Sequence, residues 1–214
     1  MDSSDSSSDI LIRMTIKAII FDLGGVLLRT EDFTPREHLA ERLNMDRHEL
    51  EELIFGGDSG SQAQRGEITT EQHWANVGYK LGYNSQELKS LLDEFFYTDK
   101  LDEELVDYVR GLHKEYKTAL LSNSSDDLRR RIAEQWHFED AFDIMIISAE
   151  VGMAKPDPKI FQLALDKLGV TADEAIFVDD FQRNIDTAMA VGMHGVRFQT
   201  TQQLYDDVLS LLNG

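Results

Sequence analysis

Residues 16–21 form a short apolar, β-branched run that ends at Asp22 and breaks at Gly24-Gly25. Such a run, with no polar alternation, predicts a parallel strand buried on both faces, followed by a tight loop. Similar runs recur at residues 118–121, 144–147, 175–178 and 195–198, each with a helical pattern before or after it. The helical patterns cover residues 103–115, 126–136, 158–168, 182–191 and 201–212, with Asp126 and Pro158 near helix starts. The alternation predicts an α/β fold: a Rossmann-like parallel sheet flanked by helices and joined by right-handed crossovers.

Between the first strand and residue 100 the texture changes. Residues 35–43, 46–55, 70–81 and 85–96 carry helical spacing, with no strand pattern among them. The expected organisation is therefore a core domain from residues 14–30 and 101–214, with residues 31–100 inserted as an all-helical cap. Inside the cap, the segment from Gly56 to Ser61 reads as a flexible loop, either a connector or a segment that approaches substrate. Arg65 and Trp74 are further candidate contacts, Trp74 rather as cap core. The six histidines show no metal-ligand spacing, and His38, His48 and His73 are expected on solvated helix faces.

Residues 1–13 are mostly Ser and Asp, without the basic patch and apolar stretch of a secretory signal, and read as a disordered leader with Met14 as a candidate start. The 214 residues suffice for a full core plus an accessory unit. No apolar run approaches the ~20 residues of a spanning helix, and 29% charged residues suit a cytoplasmic globular enzyme, monomer or homodimer. With no cysteine, thiolate chemistry and disulfides drop out, and any metal must take oxygen or histidine ligands. The formal net charge of −19 argues against nucleic acid or an anionic membrane as partner and favours a small substrate.

In open parallel sheets ligands bind beyond the carboxyl ends of the strands, so those ends belong together. The first carries Asp22, a carboxylate that can face a ligand or simply cap the turn. The second carries Ser122 and Asn123, able to hold phosphate oxygens, ahead of Ser125 and Asp126, residue types that also cap helices. Lys155 stands in a Lys-Pro-Asp-Pro segment that presents it from stiff backbone. Asp179 and Asp180 close the apolar run 175–178, where adjacent carboxylates repel unless a cation or hydrogen bonds compensate. Magnesium prefers oxygen ligands, and Asp22, Asp180 and the backbone carbonyl of Gly24 make a partial shell.

These elements, Asp22 at a strand end, Leu-Ser-Asn at 121–123, Gly-Met-Ala-Lys-Pro-Asp-Pro at 152–158 and Val-Asp-Asp at 178–180, with Asn184 and Gly192-Met193 downstream, resemble the haloacid dehalogenase superfamily. The likeness covers residues 16–214 and is to members with a small helical cap, among them sugar-phosphate phosphatases and the phosphatase domain of soluble epoxide hydrolase. It implies a phosphomonoester hydrolase acting on a small phosphorylated metabolite. Asp22 would form an aspartyl-phosphate, Ser122 and Asn123 would bind the transferring group, and Lys155 would pair with both. Asp180 would ligate magnesium, Asp179 would support the metal shell, and Asn184 would order the loop after the fourth strand.

The sequence departs from that pattern at Gly24, where phosphatases of the superfamily usually carry a second Asp as general acid and base. Glu31 and Asp32 are candidate stand-ins. The departure leaves two rivals open: a metal-independent 2-haloacid dehalogenase, and a phosphate-binding protein that has lost turnover.

Overall fold

The computed structural model describes residues 15–214, so the expected leader at residues 1–13, and Met14, lie outside the described residues. Five strands, β1 (Ala18–Phe21), β4 (Lys117–Ser122), β5 (Ile144–Ile147), β6 (Ala175–Asp179) and β7 (His194–Arg197), pair in the order β5-β4-β1-β6-β7. All four pairings are parallel. Two more strands, β2 (Leu28–Thr30) and β3 (Asp99–Leu101), form a separate antiparallel ribbon.

Side chains alternate across β1 as a doubly covered strand requires. Ile19 and Phe21 enter one apolar cluster with Leu105 and Val109 of α6 (Glu103–Leu112) and Leu204 and Val208 of α11 (Thr201–Asn213). Ala18 and Ile20 enter the other, with Phe161 and Leu165 of α9 (Pro158–Leu168) and Ile185 and Ala188 of α10 (Gln182–Val191). Burial on both faces explains why the core strands read as unbroken hydrophobic runs.

Between β2 and β3 the chain forms α1 (Thr34–Arg42), α2 (Arg47–Phe55), α3 (Gly57–Gln64), α4 (Thr70–Leu81) and α5 (Ser85–Phe95). Their starts are chemically marked: Asp46, Thr69 and Asn84 each close a capping box with the residue three places on. The helices share a core of their own, built on Leu39, Leu50, Ile54, Val77, Leu91 and Phe95, against which Trp74 packs. Arg36 is buried beside it, its guanidinium 4.1 Å from the Phe95 ring centroid and bonded to Asp99 of β3 at 2.7 and 2.9 Å. The ribbon is thus the stem through which the chain leaves and rejoins the core.

Several expectations need correction. Residues 99–100 belong to β3, so the stretch 31–100 is not without strand. The segment from Gly56 to Ser61 is no loop but runs into α3, because its small residues allow close packing that outweighs weak helix propensity. A Cβ at Gly60 would lie 2.7 Å from the Phe55 carbonyl oxygen. His73 is buried, not solvated: with Thr70 and Val77 it lies on the inner face of α4, its Nδ1 3.0 Å from Ser59 Oγ and its Nε2 2.9 Å from the Ile54 carbonyl. The helix expected over 126–136 is split into the turn α7 (Leu128–Arg131) and a π-helix, Ile132–Trp136. Asp126 does not cap it; its carboxylate instead accepts from the Thr70 N–H at 3.1 Å and from the Thr70 hydroxyl.

Candidate active site

Strand register brings the site together. Phe21 is level with Leu120 on one side and Val178 on the other, so the next residues, Asp22, Leu121 and Asp179, emerge at one height. Asp22 is held there by its N–H to the Val178 carbonyl, 2.9 Å. Its Oδ1 accepts from the Leu23 N–H at 2.7 Å and lies 2.8 Å from Lys155 Nζ. Both contacts fall on Oδ1 and not on Oδ2.

Lys155, 4% exposed, reaches in from the segment between α8 (Ser148–Val151) and α9, and its ammonium also donates to Asp179 Oδ2 at 2.7 Å. Asp179 is fully engaged: Oδ1 accepts from the Phe181 N–H at 2.8 Å and from Asn184 Nδ2 at 2.9 Å, and Oδ2 lies 3.0 Å from the same Asn184 nitrogen. Asp180 is the opposite case, since its Oδ1 is buried with no hydrogen-bond partner among the described residues. Its approach to the first loop depends on Gly25, where a Cβ would lie 2.3 Å from Asp180 Oδ2 and φ is +78°.

One oxygen from each of Asp22, Asp179 and Asp180 lies within 4.8 Å of the others. Three carboxylates against one ammonium leave two surplus negative charges when all are ionised. Burial pushes the Asp22 carboxyl up to about 7, with repulsion from Asp179 and Asp180 adding to it and Lys155 opposing it. Asp180 is pushed up to about 6, first by burial and then by Asp179. A divalent cation removes this tension, and the donor set fits a hard one: oxygen ligands only, one of them orphaned. Since Asp179 spends its oxygens on Lys155, Phe181 and Asn184, the carboxylates left to face a cation are Asp22 and Asp180.

Ser122 ends β4 and is buried. Asn123 follows it, but its side chain is joined to the Lys155 backbone. Ser148, outside every motif of the sequence, donates to the Ser124 carbonyl at 3.1 Å and accepts from its N–H at 2.9 Å, tying the loop after β4 to the end of β5. Its only sequence signal is a hydroxyl closing an apolar strand. The proposed stand-ins for a missing acid are occupied elsewhere: Glu31 pairs with Lys100 at 2.5 Å, and Asp32 accepts from the Thr34 N–H at 2.9 Å. Arg65 pairs with Glu67 at 2.6 Å on the exposed surface.

The sequence profile of the haloacid dehalogenase-like hydrolases matches residues 16–192, from β1 to the glycine that ends α10. Bifunctional epoxide hydrolase 2 of Sus scrofa is 31% identical over 208 residues, covering 88% of this chain, which spans only 37% of that protein. The sesquiterpene phosphatase astK of Aspergillus oryzae is 27% identical over 85% of this chain and 89% of its own length. A HAD family enzyme from Bacteroides thetaiotaomicron, solved with magnesium and inorganic phosphate, superposes with a TM-score of 0.71 at 23% identity, covering 87% of this chain and 96% of that one. At that identity the superposition speaks for the fold alone. Sequence profile, relatives and the strand-end cluster agree, and the chain belongs to the haloacid dehalogenase-like hydrolases.

Proposed function

We propose that this hydrolase is a magnesium-dependent phosphatase that releases phosphate from a small phosphorylated metabolite by way of a phosphoryl group carried on Asp22. The observation that carries the reading is the convergence of Asp22, Asp180 and Lys155 at one point beyond β1 and β6. That two curated relatives are named as phosphatases, of a sesquiterpene and of D-ribitol 5-phosphate, supports it.

In this reading Asp22 and Asp180, with the Gly24 carbonyl, would hold the cation, which would supply the positive charge that offsets the repulsion between carboxylate and phosphate. Lys155 and the Leu23 N–H fix Asp22 through Oδ1, so that Oδ2 attacks phosphorus and the ester oxygen departs with the bonding pair. Ser122 offers a hydroxyl to the transferring group, and the Lys155 ammonium offsets its charge. Asp179, bound by Asn184 and the Phe181 N–H, keeps that ammonium in place. Water then cleaves the phosphoryl-aspartate at phosphorus and restores the carboxylate. Residue 24 offers no acid, so the departing oxygen takes its proton from water. Substrates whose leaving group is stable as an anion therefore react best.

The helical insertion acts as a cap. Its turn after α3 lies against α8, where a Cβ at Gly66 would be 2.2 Å from the Ala149 carbonyl oxygen, and Thr70 at the start of α4 bonds to Asp126 beyond β4. Both contacts are on the strand-end side of the sheet, where a cap excludes water from the reacting groups.

Purified protein assayed against sugar phosphates and para-nitrophenyl phosphate tests the proposal. Phosphate release is expected with magnesium, and neither with chelator nor in Asp22→Asn. Halide release from a 2-haloacid in chelator would identify a dehalogenase instead, and phosphate binding without turnover would identify a protein that has lost its chemistry.

A further inference from the structure

Asn123 makes two hydrogen bonds with the backbone of a single distant residue. Its Nδ2 donates to the Lys155 carbonyl at 2.8 Å, and its Oδ1 accepts from the Lys155 N–H at 2.8 Å. Lys155 lies between α8 and α9, outside any helix or strand, so its peptide groups have no ladder to join. A primary amide is the side chain that can accept from an N–H and donate to a C=O at the same residue, as a neighbouring strand would. The Lys155 side chain, 1% exposed, is consequently fixed at both ends: at the backbone by Asn123 and at the ammonium by Asp22 and Asp179.

We infer that Asn123 is a positioning residue: its amide fixes the backbone from which Lys155 reaches Asp22, and it acts on the transferring phosphoryl group through Lys155 rather than by touching it with its side chain. The inference rests on the phosphatase reading for the group that Lys155 meets, but the clamp itself does not. It replaces the expectation that the Asn123 side chain binds phosphate. The clamp also explains why an amide is needed here. An Asp would set a carboxylate oxygen against the Lys155 carbonyl, and a Ser is too short to reach both peptide groups.

Two readouts on Asn123→Ala and Asn123→Asp test it. The first is the rate at which an amine-specific acylating reagent labels Lys155 in metal-free protein, followed by peptide mass spectrometry. The second is the kcat and KM for para-nitrophenyl phosphate with magnesium. Melting curves on each variant establish that it is folded. Loss of two partly buried hydrogen bonds is expected to speed Lys155 labelling about tenfold or more and to lower kcat by a similar factor. Labelling unchanged with KM raised would show the side chain meeting phosphate directly and overturn the inference. Labelling raised with kcat unchanged would overturn the catalytic half of it, and no change in either would overturn all of it. Should wild-type protein show no phosphatase activity, the functional proposal fails, while the labelling rates still decide whether Asn123 holds Lys155.

Discussion

At Gly24 a Cβ would meet no atom within 4 Å, and the backbone there is outside the left-handed region, so a side chain can begin there without strain. Its absence is a chemical choice and not a steric one. Gly24→Asp is expected to raise kcat on alkyl phosphates by ~10² while leaving para-nitrophenyl phosphate nearly unchanged, because only the alkyl leaving group needs a proton. No gain on either substrate would show that proton transfer at this position does not limit the reaction, and equal gains on both would place the limiting proton transfer at the water that cleaves the phosphoryl-aspartate, not at the leaving group. The neighbouring Gly25 is a steric choice, since any side chain there collides with Asp180. Sequence pattern marks Gly24 alone as a departure; the steric demand on Gly25 is visible only in the structure.

At the level of elements, the insertion meets the core through few polar contacts. Thr70 bonds to Asp126 through both its N–H and its hydroxyl, and its hydroxyl also lies 3.3 Å from an Asp127 oxygen. Thr70→Val keeps the shape and the N–H bond and removes the hydroxyl bonds. It is expected to speed amide hydrogen exchange at the start of α4 and in α3 by about tenfold, with β1 and β6 unaffected. A uniform change across the chain would mean that Thr70 supports the global fold instead of the seat of the insertion. The core strands and most helices were legible because burial on both faces writes unbroken apolar runs and caps are written locally in Asp46, Thr69 and Asn84. α3 was not: Gly-Asp-Ser-Gly-Ser carries no helical signal, and its order comes from packing against Phe55 and His73. The Thr70–Asp126 contact joins residues 56 positions apart and leaves no periodic trace.

For the whole molecule, the buried acidic cluster makes stability depend on pH and, in the proposed reading, on metal. Asp22 and Asp180 are raised from 3.8 to about 7 and about 6. In metal-free protein their contribution is therefore complete below the unfolded value and is lost as pH rises through about 6 and then about 7. A magnesium ion held as proposed would need the ionised forms, so its affinity would rise over the same window as protons leave. The difference in Tm between magnesium-loaded and chelated protein is expected to widen steadily from about pH 5 to about pH 8. A gap that stays constant would place the cation away from these two carboxylates. Much of this site was readable in advance, because Asp22, Lys155 and the Asp179-Asp180 pair each stand at the end of an apolar run or in a proline-stiffened segment. The division of labour was not: that Asp179 is spent on Lys155 and Asn184 while Asp180 keeps an orphaned oxygen depends on contacts that adjacent identical residues cannot announce.

In the proposed chemistry everything turns on Asp22 taking the phosphoryl group. The direct measurement is mass spectrometry of the peptide that contains Asp22, from protein acid-quenched during turnover of para-nitrophenyl phosphate. The added mass of one phosphoryl group at Asp22 is expected in magnesium, and its loss in chelator and in Asp22→Asn. Sustained phosphate release with Asp22 unmodified, or undiminished in Asp22→Asn, would contradict it.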